Sequence, residues 1–161
     1  MNDEIKLEAL RASRLATDLD EADCRVLAEV ISVRDLADGE VLVREGTADT
    51  HLYVVAKGAL SVVRNAGTEN QVAIATLGAG DLAGELGFID GTERHASLVG
   101  IGGARVLGLE REKLESLLKA HPVIVYHVMR AIIRTVHLIQ RRLSLQAVEL
   151  TNYIHKQHGR Y

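Results

Sequence analysis

The sequence predicts a mainly β protein with flanking helices, built around an antiparallel barrel or sandwich. Three observations predict it. Between Val33 and Leu109 short β-rich runs recur about every eight to twelve positions. Most of the 14 glycines stand between those runs, where left-handed backbone is needed for tight turns. Helical periodicity is confined to the two ends of the chain.

In chain order, the residues through about Asp18 mix charge and small apolar side chains without a clean period, and read as a weakly held helix. Asp20 is suited to accept a backbone hydrogen bond as an N-cap, and Leu27, Val30 and Ile31 follow at helical spacing. The β-rich runs are Val41 to Arg44, Leu52 to Ala56, Leu60 to Arg64, Val72 to Leu77, Ser97 to Val99 and Arg105 to Leu109. Turn signals separate them at Asp38-Gly39, Glu45-Gly46, Lys57-Gly58, Ala66-Gly67, Gly78-Ala79-Gly80 and Asp90-Gly91. Leu114, Leu117 and Leu118 then restore the helical period, and Pro122 suits the first turn of a further helix. In that last helix Val125, Met129, Ile132, Val136, Ile139, Leu143, Gln146, Leu150 and Tyr153 alternate steps of four and three, with Gln146 the polar member. Such a seam fits either an amphipathic helix lying on its own β-domain or a dimer stalk.

Composition narrows the function classes. With 47% hydrophobic and 25% charged residues the chain lies in the range of folded proteins, and 161 residues fill one domain plus extra helix. Aromatics are 3%, too few for base-stacking platforms, and a net charge of −3 disfavours binding along a phosphate backbone. Arg130, Arg134, Arg141, Arg142, Lys156 and Arg160 gather near the C-terminus, the pattern of a solvated helix face, with a docking surface for an acidic partner as the alternative. The single cysteine, Cys24, has no internal disulfide partner, which fits a reducing cytoplasm. No export signal opens the chain and no run of eighteen apolar residues follows, so no membrane association is expected.

The chemistry concentrates in G-D-L-A-G-E-L-G-F-I-D-G-T-E-R-H-A-S-L-V, from Gly80 to Val99. Gly84 and Gly87 permit close backbone approach, and Glu85 to Ile89 can form one helical turn with free N–H groups at its start. Arg94 supplies a permanently charged planar fork suited to two oxygens of one phosphate. Glu85 cannot help bind phosphate but can accept hydrogen bonds from a sugar hydroxyl.

This stretch closely resembles the phosphate-binding cassette of cyclic nucleotide-binding domains, shared by the bacterial catabolite activator, protein kinase regulatory subunits and gated channels. L-A-D-G-E-V-L-V-R-E-G from Leu36 to Gly46 and L-Y-V-V-A-K-G from Leu52 to Gly58 resemble the family's first β-roll turns. The resemblance runs from about Leu19 to Leu143. It implies an antiparallel β-roll of jelly-roll type in a single domain over 1–161, with N-terminal helices at 1–32, the roll at 33–109 carrying the cassette at 84–97, and C-terminal helices at 110–161. It further implies that Glu85 binds the ribose 2′-hydroxyl and Arg94 the cyclic phosphate. Gly84, backbone N–H groups near Leu86 and Ala96, and the Ser97 hydroxyl complete the cradle. The last helix caps the purine between Val136 and Leu143, with Gln140 the candidate contact. His95 stands where the family has a small residue that touches the ligand, which implies a tighter pocket or an added titratable phosphate donor, unless His95 turns away or stacks on the cap; Glu93 replaces a common proline and Ala83 a common aromatic.

The function implied is a stand-alone cytoplasmic sensor of a cyclic nucleotide, cyclic AMP before cyclic GMP, that signals to an effector protein, and through a homodimer, by repositioning its C-terminal helix. The alternative is a ligand-free β-roll that serves interaction or dimerisation. No enzyme is expected. Gly78, Gly80 and Gly84 miss the dinucleotide-loop spacing, His51 and His95 stand apart from any metal-ligand grouping, no G-x-S-x-G occurs, and Cys24 shows no partnered base. Direct DNA binding is not expected either, since the helix-turn-helix of the bacterial relatives needs several tens of residues beyond Tyr161.

Overall fold

The computed structural model describes residues 2–158; Arg160 of the basic set, and residues 1 and 159–161 of the expected domain, lie outside the described residues. The elements in chain order are α1 (Asn2–Arg11), a 3-10 turn (Arg14–Ala16), α2 (Glu21–Glu29), β1 (Ser32–Leu36), β2 (Val41–Val43), β3 (His51–Arg64), β4 (Val72–Leu77), β5 (Leu82–Ala83), α3 (Glu85–Asp90), β6 (Ser97–Glu110), α4 (Arg111–Glu115) and α5 (Pro122–His158). The Asp20 cap forms as a full capping box: Asp20 Oδ1 accepts the Asp23 N–H at 2.8 Å while Asp23 Oδ2 accepts the Asp20 N–H at 3.4 Å.

β3 and β6 carry the architecture. They run antiparallel from His51 opposite Glu110 to Val63 opposite Ser97. β1 pairs one half of β6 and β2 the other, while β5 and β4 pair the two halves of β3. A sheet flanked differently on its two halves, and bent in the middle, rolls over on itself, giving an antiparallel β-roll with flanking helices.

The bend corrects the expected turn at Lys57-Gly58. The chain does not reverse there; the runs 52–56 and 60–64 are one strand, as are 97–99 and 105–109. Register shifts at Val55/Lys57 and Lys57/Ala59 place a bulge at the corner, so the glycine marks a kinked strand rather than its end. Gly58 has φ +74, and a Cβ there would lie 2.6 Å from the Gly103 carbonyl oxygen. β1 and the two-residue β5 had no separate signal in the sequence, being short or mixed in polarity.

Alternation along the long strands divides the interior in two. Tyr53, Val55, Leu60, Leu98 and Val106 point into the roll with Leu36, Leu42 and Val43. Leu52, Val54, Leu107 and Leu109 point out against Leu10, Leu15, Leu27, Ile124, Val128 and Ile132 of the helices. Burial on both faces explains why these strands read as continuous apolar runs.

α5 meets the body through Ile124, Val128, Ala131, Ile132 and Thr135, and is exposed from His137 onward. One 18-residue window of it is apolar enough by composition to cross a membrane, although α5 holds no unbroken run of eighteen apolar residues. Part of that apolar surface is used here as core. Arg134 is not solvated as expected of the basic set: its Nη1 donates to Asp18 Oδ2 at 2.6 Å, and this hydrogen bond holds the Asp18 carboxyl below the usual range. Arg130, Arg141, Arg142 and Lys156 are exposed.

Replacing Gly58 by Ala should cost at least about 2 kcal/mol in urea unfolding, from left-handed strain together with the Gly103 clash. A change within about 0.5 kcal/mol would contradict the corner assigned to Gly58.

Candidate functional site

Arg94 lies in the loop between α3 and β6. Two backbone bonds pin that loop to the β2–β3 connection: the Arg94 N–H donates to the Thr47 carbonyl at 2.9 Å and its carbonyl accepts the Gly46 N–H at 2.8 Å. The side chain then runs inward and is only 6% exposed. Nη1 donates to the Gly84 carbonyl at 2.8 Å and Nη2 to the His51 carbonyl at 2.5 Å. Nε is buried and has no partner.

The glycines exist for this arginine. A Cβ at Gly84 would fall 2.2 Å from Nη1, and one at Gly87 would fall 2.8 Å from Cζ. Gly84 also holds φ +85 where β5 ends and α3 begins. Both positions therefore need a residue without a side chain, one for conformation and space, the other for space alone.

Glu85, first residue of α3, is the second polar group of the site. Its Oε1 is buried without a partner. Burial pushes the carboxyl above the ordinary glutamate range, against the opposing pull of its own backbone N–H and of Arg94. Glu85 and Arg94 do not neutralise each other: the carboxylate within 4 Å of Arg94 is that of Asp49, at 3.8 Å.

Both groups line a cavity of about 470 Å³, within the roughly 300–1,000 Å³ span of small-molecule sites. Val62, Ile74, Leu77, Leu82 and Leu98 form an apolar wall, and Ile139, Arg142, Leu143 and Gln146 of α5 cover one side. Of the residues expected at the site, Gly84, Glu85, Leu86, Arg94, His95 and Ala96 line the cavity, with His95 exposed at its edge.

Two do not line it. Ser97, the first residue of β6, alternates to the other side of the strand from Leu98, and its Oγ accepts the Glu45 N–H at 2.9 Å. Gln140 is exposed and turned off the cavity-facing stripe of α5, one residue past Ile139. The stripe that faces the cavity is the heptad seam itself, Ile139, Leu143 and Gln146. Following the seam rather than choosing a polar residue beside it would have found the cavity-facing side chains of α5.

A wider groove of about 830 Å³ lies between α1 and α2, bordered by Asp3, Glu4, Glu8, Glu29, Arg11 and Arg25. None of the buried unpartnered side-chain atoms among the described residues belongs to it, and no metal-ligating cluster occurs among the described residues.

The family model described as "Cyclic nucleotide-binding domain" matches residues 33–121. The cyclic AMP receptor protein of Thermus thermophilus is 28% identical over 111 residues, covering 69% of this chain and 51% of that protein. The cAMP-dependent protein kinase regulatory subunit of Blastocladiella emersonii is 29% identical over 107 residues, covering 66% and 27%. The chain thus spans about half or less of these relatives. The crystal structure of a cyclic nucleotide-binding domain from Methylobacillus flagellatus superposes with a TM-score of 0.76 at 25% identity, over 87% of this chain and 79% of that one.

Glu85→Gln should raise the thermal midpoint of the ligand-free protein at pH 7–8. A carboxyl whose folded pKa lies above its unfolded value weakens the fold once ionised, so the advantage of the amide shrinks as pH falls toward the unfolded value. A gain of about 1 kcal/mol corresponds to roughly 2–4 °C for a chain of this size. A midpoint below wild type at pH 8 contradicts the strained carboxylate.

Proposed function

Because the chain belongs to the cyclic nucleotide-binding domain family, we propose that it is a regulatory sensor that binds a 3′,5′-cyclic purine nucleotide, cyclic AMP in preference to cyclic GMP. The observation that carries the reading is the pair of buried, unpartnered polar atoms of opposite charge, Arg94 Nε and Glu85 Oε1, at one cavity. Leaving either unpaired costs free energy, and a ribose-phosphate ring offers each the partner it lacks. The cyclic phosphate takes hydrogen bonds from Arg94; the 2′-hydroxyl donates to Glu85. The purine lies on the apolar wall beneath Ile139, Leu143 and Gln146. His95 at the mouth replaces a small residue of the family and narrows the approach. The preference for cyclic AMP rests on the bacterial majority of the family and on the lack of Thr at position 95.

Binding shifts α5 between an open and a capped arrangement, because the ligand touches the helix only when it is capped. An effector protein, or a second copy of the chain, then reads the exposed apolar positions Leu145, Val148, Leu150, Tyr153 and Ile154. Those exposed apolar side chains also favour the second reading, a ligand-free module that dimerises or docks a partner. The protein acts as a cytoplasmic regulator; Cys24, buried with its thiol pushed up by desolvation, is compatible with a reducing compartment.

Calorimetry with cyclic AMP and cyclic GMP separates the two readings. The sensor reading expects saturable heat with wild type, and with Arg94→Ala a loss of about 3–5 kcal/mol, or roughly two to three and a half decades in affinity. Absence of heat with either nucleotide leaves the ligand-free module. Hydrogen exchange across residues 136–150 should slow under saturation; unchanged exchange would contradict the capping of α5.

A further inference from the structure

The binding scheme leaves Asp49 unused, although its carboxylate stands closest to the arginine. It lies in the loop before β3, is not among the residues lining the cavity, and approaches Arg94 Nη2 to 3.8 Å. Three hydrogen bonds hold it there. Oδ1 accepts the His51 backbone N–H at 2.9 Å and meets His51 Nδ1 at 2.8 Å, while Oδ2 accepts the Tyr53 hydroxyl at 2.9 Å. The His51 and Tyr53 rings stack with centroids 5.7 Å apart, and Tyr53 is fixed in β3 between Ala83 and Gly108. So tethered, the carboxylate cannot close into a bidentate pair with the guanidinium. Burial, the largest single influence, would raise the Asp49 carboxyl; the His51 and Tyr53 hydrogen bonds and the charge of Arg94 together carry it below its usual value. It is therefore ionised at neutral pH.

We propose that Asp49 is the resident counter-ion of Arg94 in the empty site, a positioning residue that stabilises the buried guanidinium and holds the affinity for the incoming phosphate down. Asp49 and Arg94 together are close to neutral when the site is empty. A ligand monoanion turns the group net negative, so Asp49 and the phosphate repel each other across the guanidinium. The Tyr53 and His51 bonds limit how far Asp49 competes, by keeping it out of direct contact. This rests on the reading of the cavity as a cyclic nucleotide site.

Asp49→Asn tests it, since the amide keeps an acceptor for the His51 N–H and a donor for the Tyr53 oxygen while removing the charge. Two like charges on either side of one guanidinium repel through an effective dielectric of about 20, and with salt and exposure the effect on affinity is roughly tenfold. D49N should therefore bind cyclic AMP roughly tenfold more tightly, while its ligand-free thermal midpoint falls below wild type. A merely structural residue would lower both together. Tyr53→Phe has the opposite sign: it frees Oδ2 to close on Arg94, and affinity should fall several-fold. Wild type that binds while D49N binds equally or more weakly overturns the proposal alone. If D49N does not fold, Y53F with unchanged or tighter binding does the same. Failure of wild type and both variants to bind either nucleotide overturns the reading of the site, and this proposal with it.

Discussion

A guanidinium leaves water at a high cost unless its donors are met, and Arg94 is met on two of three nitrogens by the carbonyls of Gly84 and His51. The rest of the site follows from lodging that one side chain. Gly84 and Gly87 are glycines because any Cβ would occupy the guanidinium's place. The β2–β3 connection clasps the Arg94 backbone through Gly46 and Thr47, and β3 supplies the His51 carbonyl. Even the rolling of the sheet serves it, since the bent pair β3 and β6 brings residues 46–51 and 94 together from opposite parts of the sequence.

What remains unsatisfied is informative in the same way. Arg94 Nε and Glu85 Oε1 are buried and unpaired, in two residues that line the cavity. Such an arrangement lowers the stability of the empty protein, and a ligand that satisfies both atoms restores it by mass action. α5 stands at the other side of this balance. Its first half belongs to the core through Ile124, Val128 and Ile132, and Arg134 ties it to Asp18. Its middle covers the cavity, and its far end carries exposed apolar side chains. One continuous helix thus joins the cavity wall to an exposed apolar surface.

The cassette was legible because its constraints are local. Glycine spacing, a carboxylate and an arginine nine positions apart identify themselves in one line of sequence. The Asp20 cap and the start of α5 at Pro122 were legible for the same reason. Contacts made by distant chain were not. Gly58 looked like a turn because the sequence carries no trace of Gly103 lying opposite it. Ser97 looked like a ligand group because its tie to Glu45 spans 52 positions. Gln140 was chosen for its chemistry, although the seam had already marked Ile139, Leu143 and Gln146 as the inward face. The three-residue network behind Arg94 escaped notice because Asp49, His51 and Tyr53 look unremarkable until the arginine is placed beside them.

The central claim is that the unpartnered Nε–H of Arg94 awaits an anion. Side-chain nitrogen-15 NMR reads that group directly during titration with cyclic AMP. The account predicts a displaced Arg94 Nε–Hε resonance that becomes protected from solvent exchange at saturation. A resonance that keeps its position and exchange rate, while the nucleotide binds elsewhere or not at all, would contradict it.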